Sequence, residues 1–99
     1  MAHGFEMMKH IIFAIALLGA APASAACYAD YKAKQDNPLR LHYGVVKLTD
    51  DTCEKSAAGS AIAKRIGKDG WTLLTVISVF NDAALNGKKA SAGAYFLRY

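Results

Sequence analysis

The chain has 99 residues, a formal net charge of +4 and 54% hydrophobic residues, which bounds it to one small, mildly basic domain. Its basic residues never run beyond two in a row, so the positive balance carries no nucleic-acid footprint.

Residues 1–25 read as a cleaved signal peptide. Lys9 and His10 precede an apolar run over 11–18, and a small-residue stretch comes next that ends in Ala23-Ser24-Ala25, the pattern of a cleavage site. Met8-Lys9-His10 would itself make a good start, leaving residues 1–7 as an upstream extension. The apolar run falls short of the roughly 20 residues that a helix needs to span a bilayer, so no integral membrane segment is expected after cleavage. The mature chain, about 74 residues from Ala26 to Tyr99, is close to the size at which a hydrophobic core alone becomes marginal. Export places the two cysteines, Cys27 and Cys53, where disulfides persist, and they are expected to pair in a periplasmic or secreted protein. Cys27 also admits a lipid-anchored reading, against which stands Ser24, where a lipidated bacterial cysteine has leucine three residues earlier.

Residues 26–38 are polar and charged, with Tyr28 and Tyr31 spaced to share one side of a helical turn. They read as an N-terminal arm, a short helix or irregular, that Asn37-Pro38 ends. Residues 39–48 read as the first strand: Leu39, Leu41, Tyr43 and Val45 alternate with Arg40, His42 and Gly44, after which Val46 and Leu48 make the second face apolar. Gly44 in mid-strand marks a bulge or a close approach by another side chain. A turn at Thr49-Asp50-Asp51-Thr52 supplies acidic residues to a helix that begins near Cys53 or Ser56 and ends near Gly67, with Ala58, Ala61, Ile62 and Ile66 as its apolar stripe.

Gly67-Lys68-Asp69-Gly70 closes that helix, with glycine supplying left-handed backbone, and opens the long apolar run 71–80. Period-2 alternation puts Trp71, Leu73, Ile77 and Val79 on one face and Leu74, Val76 and Phe80 on the other. Both faces are apolar, as in a central strand. Residues 81–92 read as a long connection with one helical turn capped by Asn81 and stopped by Gly87, and 93–99 as a last strand with Tyr95, Leu97 and Tyr99 on one face.

The fold class expected is therefore α+β: a single small βαββ domain over 39–99, with a three-stranded mixed sheet packed by one helix and stapled by one disulfide. A right-handed crossover would make the first two strands parallel. One helix covers one sheet face. The other, carrying Tyr43, Trp71 and Tyr95, needs a cover, from the N-terminal arm or from a second copy packed sheet to sheet as a homodimer.

The first strand ending Val45-Val46-Lys47-Leu48, the turn Gly67-x-x-Gly70-Trp71-x-Leu73-Leu74 and the terminal Tyr95-Phe96-Leu97-Arg98-Tyr99 resemble those of small exported bacterial βαββ domains of unknown function with two cysteines. The resemblance covers 39–99 and departs at Thr72, where that family often has glutamate after the tryptophan. It implies a fold and adds no activity.

His42 is the one histidine beyond residue 25, and Ser56, Ser60, Ser78 and Ser91 lie in no nucleophile-elbow pattern around it. Asp50, Asp51 and Glu54 lack the spaced oxygen ligands and glycine of a calcium loop, and two cysteines without a close histidine make no zinc site. No catalytic set, metal or cofactor is expected. The candidate binding surface is Tyr43, Trp71 and Tyr95 on the sheet with Lys88 and Lys89 of the long connection. These residues point to a noncatalytic binding or protein-interaction module acting on a protein or small ligand of the cell envelope. The alternatives are a small hydrolase-like enzyme using His42 and an envelope-attached lipoprotein held by Cys27.

Overall fold

The computed structural model describes residues 26–99; the expected signal peptide lies outside them. The domain is α+β and holds a three-stranded sheet, with β1 (Cys27–Gln35), β2 (Arg40–Leu48) and β3 (Thr72–Asn81) in the spatial order β2-β1-β3. Helix α1 (Lys55–Gly67) connects β2 to β3. Past β3 come two short helices, α2 (Asp82–Leu85) and α3 (Lys89–Ala92), with 3-10 turns at Asn86–Lys88 and Gly93–Tyr95. The Cys27–Cys53 disulfide ties the start of β1 to the loop before α1.

The class, size and disulfide are those expected, and the element order differs. The N-terminal arm is the central strand. Cys27, Ala29, Tyr31 and Ala33 alternate with Tyr28, Asp30, Lys32 and Lys34, so the two tyrosines read as one side of a helical turn lie on opposite sheet faces. Asn37-Pro38 does not merely end the segment. It sits in a tight turn, with Asn37 at φ 62, that folds β1 back on β2 from Gln35 opposite Arg40 to Cys27 opposite Leu48. Both ladders are antiparallel, so the sheet is not mixed. β2 and β3 run in the same direction without pairing, because the crossover passes over β1, which occupies the position between them.

On one face Ala58, Ile62 and Ile66 of α1, the stripe the sequence marks out, pack on Ala29, Tyr31, Ala33, Val46, Leu48 and Val76. Small residues let the helix lie close: a Cβ on Gly59 would stand 3.7 Å from Val76. Gly70 takes the left-handed conformation at φ 82, and the Trp71 amide reaches back to the Ile66 carbonyl at 3.2 Å.

β3 breaks its own alternation twice. The register against β1 skips Ile77 between Asp30 and Tyr31, and Leu74 between Lys32 and Ala33. Each extra residue shifts the phase. Leu73, Val76 and Val79 consequently share the α1 face, while Leu74 and Ile77 are exposed. β3 is thus an edge strand, and its two-faced apolar pattern comes from the bulges.

The second face is covered in part from within. Leu85, Ala92 and Phe96 pack on Tyr28, Tyr43, Val45 and Phe80, so residues 82–96, and not the N-terminal arm, cap one end of it; Tyr43 lies on this face, while Trp71 and Tyr95, expected beside it, lie on the α1 face. Asn81 Oδ1 accepts the Ala83 amide at 2.9 Å and starts the cap's first helical turn. The expected last strand is reduced to one parallel bridge, Val45 with Phe96, and a bond from the Leu97 amide to the Val45 carbonyl at 2.8 Å. Gly93 at φ 54 and Leu97 at φ 56 turn the backbone out of the strand conformation on either side of that bridge.

Candidate functional site

The candidate residues gather into two networks on opposite faces of the sheet. On the α1 face the hydroxyl of Tyr31 lies 2.9 Å from His42 Nε2. Tyr95 stacks on the imidazole at 3.7 Å between ring centres, and Trp71 meets it edge-on at 4.3 Å. Gly44 is what admits Tyr31: a Cβ there would lie 2.5 Å from the phenol oxygen. Close approach by another side chain is therefore the reason for a glycine in mid-strand.

This arrangement encloses His42, which is 8% exposed. Burial, and then the charge of Arg98, lower its pKa below the usual histidine value and favour the neutral ring. Nδ1 is buried without a hydrogen-bond partner among the described residues. None of the four candidate serines bonds to it: Ser78 is engaged by Asp30 on the other face, and Ser56, Ser60 and Ser91 lie on helices. Trp71, 7% exposed and with the Arg40 guanidinium 5.4 Å from its ring centre, is a packing anchor with little of its face left for a ligand.

The second network centres on Asp30, which is 2% exposed. Its Oδ1 accepts the Ser78 amide at 2.9 Å and the Ser78 hydroxyl at 2.7 Å, and its Oδ2 accepts the Tyr43 hydroxyl at 2.7 Å and the Lys88 ammonium at 2.9 Å. The bulge at Ile77 makes this geometry by freeing the Ser78 amide for a side chain. Burial alone would raise the carboxyl's pKa. The hydrogen bonds from Ser78, Lys88 and Tyr43, with the charge of Lys88, outweigh it and hold the pKa below the usual value. Burial and the neighbouring Asp30 together push the Tyr43 phenol up. Lys88 also sits 4.8 Å from the centre of the Phe80 ring.

The structure therefore pairs Tyr43 with Lys88, through Asp30, and Trp71 with Tyr95, through His42. Lys89 stands apart, exposed and 6.0 Å from the Phe96 ring centre. Sequence reasoning missed Asp30, because a lone aspartate in a stretch read as an arm gives no signal of burial.

It also missed the open part of the second face. The cap covers the end of the sheet near Tyr28 and leaves the other end bare, where Lys32, Leu41, Tyr43 and Leu74 line a cleft of about 260 Å³. His42 and Ala33 border the cleft through their main chain, since their side chains belong to the α1 face. Leu41 is 65% and Leu74 51% exposed, with the exposed Lys32 between them on the central strand. Large apolar side chains held open around a cation make an amphipathic surface.

Among the described residues no three His, Cys, Asp or Glu side chains converge as a metal site, and no helix is long and apolar enough to cross a membrane. The disulfide fits an oxidising, extracellular-type environment. No family model, curated protein or solved structure matches this chain.

Proposed function

We propose that this is a noncatalytic binding module of the bacterial periplasm or secreted milieu, which holds an amphipathic ligand or protein segment in the cleft at the open end of the sheet. One observation carries the reading: Leu41 and Leu74 stand exposed on either side of Lys32, while Asp30 is held by Lys88 and His42 Nε2 by Tyr31. Apolar walls around a single cation suit an acidic group attached to an apolar body. The small exported two-cysteine domains that the sequence resembles would be its kin, on the strength of the Gly67-x-x-Gly70-Trp71 turn.

The hydrolase reading asks more of His42 than its setting supports, since a general base needs a nucleophile within hydrogen-bond reach and the ring's partner is a phenol. The lipoprotein reading needs the Cys27 sulfur, which is engaged with Cys53.

The test is an NMR titration of isotope-labelled protein with decanoate and, separately, decanol. Decanoate is expected to shift the amides of Lys32, Leu41, Tyr43 and Leu74, decanol to shift them less, and Leu41→Asp to abolish both responses while the fold is retained. Shifts scattered over the surface, or unchanged by Leu41→Asp, would remove the cleft as the binding site. Turnover of an ester substrate that His42→Ala abolishes would restore the enzyme.

A further inference from the structure

The sheet has two edges, and the chain treats them differently. The outer side of β2 is partly taken up by its own molecule: the Val45 carbonyl takes the Leu97 amide at 2.8 Å and the Lys47 carbonyl takes Arg65 Nη1 at 2.7 Å. β2 also carries Arg40 and Lys47, and charge on an edge strand repels an incoming strand. β3 carries no such charge, and what interrupts its edge is the two bulges at Leu74 and Ile77 and the hold of Asp30 on the Ser78 amide. Among the described residues, no backbone–backbone hydrogen bond outside the helices and the sheet ladders involves residues 72–81; the Ser78 amide goes to Asp30 Oδ1 at 2.9 Å and the Val76 carbonyl takes the Thr75 hydroxyl at 3.4 Å. Its sequence, Thr-Leu-Leu-Thr-Val-Ile-Ser-Val-Phe-Asn, contains no charged residue and no proline. Thr72, Leu74, Thr75 and Ile77 are exposed along it.

From this asymmetry we infer that β3 pairs with β3 of a second copy, antiparallel and about a two-fold axis, to give one continuous six-stranded sheet. A free edge with unpaired amides and carbonyls is a template for another strand. Two further features select a second copy and a closed dimer. In a two-fold pair each residue meets a residue of the same strand, so any charge would face a like charge in or near the pairing, and β3 has none. Among the described residues β3 is the more open of the two edges, so growth through β3 alone stops at two, where a molecule equally open on both sides would build a filament. The axis runs perpendicular to the sheet, placing both α1 helices on one face and both caps on the other. Leu74 belongs both to β3 and to the cleft, whereas Thr75 and Ile77 do not line the cleft, so substitutions at these two positions test the pairing apart from the ligand reading.

The experiment is sedimentation equilibrium of protein purified with its disulfide formed, over a wide concentration range, for the wild type, Ile77→Lys, Thr75→Glu and Leu39→Lys. Leu39 is 65% exposed in the β1–β2 turn and is not part of β3. A dimer is expected in the wild type and Leu39→Lys, weakened at least tenfold in Ile77→Lys and Thr75→Glu, whose circular dichroism and melting confirm a folded domain. Amide exchange on the wild type keeps the test independent of the variants' folding, because pairing protects amides within 72–81 more strongly as concentration rises. A monomer at every concentration, a dimer indifferent to both β3 substitutions, or concentration-dependent protection confined to another element would overturn the proposal.

Discussion

His42 is stacked, edged and hydrogen-bonded until it has 8% of its surface left, and that enclosure makes it a pH-dependent term in stability. Its folded pKa is lowered by burial and by Arg98, against about 6.5 in an unfolded chain. The unfolded state therefore takes up the proton first. Stability is full above that unfolded value, falls as pH drops through it, and levels off below the lowered folded value. Urea unfolding midpoints should decline between pH 7.5 and pH 5. His42→Phe should flatten that slope, since Phe keeps a ring against Tyr95 and cannot titrate. An unchanged slope in His42→Phe would place the titration elsewhere. Asp30 acts in a different window: its depressed pKa contributes stability present above about pH 4 and lost as pH falls through the folded value, so the two effects separate. Gly44 was readable as a bulge or a close approach, and the structure shows the latter. The identity of the approaching group was not, because Tyr31 comes from a neighbouring strand.

The capping segment is the element whose attachment rests most visibly on one pair. Lys88 reaches from the 3-10 turn after α2 to the buried Asp30 carboxylate, and removing it leaves that carboxylate without a counter-ion. Lys88→Met should cost about 3 kcal/mol, as for breaking a buried ion pair from one side. It should also speed amide exchange throughout 82–96. Lys89→Met, on an exposed lysine one position on, should stay within about 0.5 kcal/mol. Equal effects from the two would show that the cap is held by Leu85, Ala92 and Phe96 alone. α1 was legible almost to the residue, because its stripe and closing glycines are local signals. β1 was not, because alanine and lysine are poor strand formers and the two tyrosines suggested a helical period. The bulges of β3 were equally hidden. An extra residue against a neighbour is a property of two strands.

For the whole molecule the disulfide is the largest single constraint on the unfolded chain. Cys27 and Cys53 are separated by 26 positions, and closing a loop of that length is worth about 3.5 kcal/mol on the chain-entropy model. The double substitution Cys27→Ala with Cys53→Ala should lower the free energy of urea unfolding by about that amount. A loss under about 1 kcal/mol would mean that the hairpin and α1 already restrain the unfolded ensemble. The pairing of two cysteines, the α+β class and the helix with its glycine stop came from sequence alone, since each rests on composition or on residues within one element. Which strand is central, the all-antiparallel pairing, the cap on the second face and the Asp30 network were decided only in the tertiary structure. They depend on which apolar faces find each other across the chain, and β1 could be recognised as a strand only once β2 and β3 were seen on either side of it, supplying the hydrogen bonds and buried neighbours that its own residues do not announce.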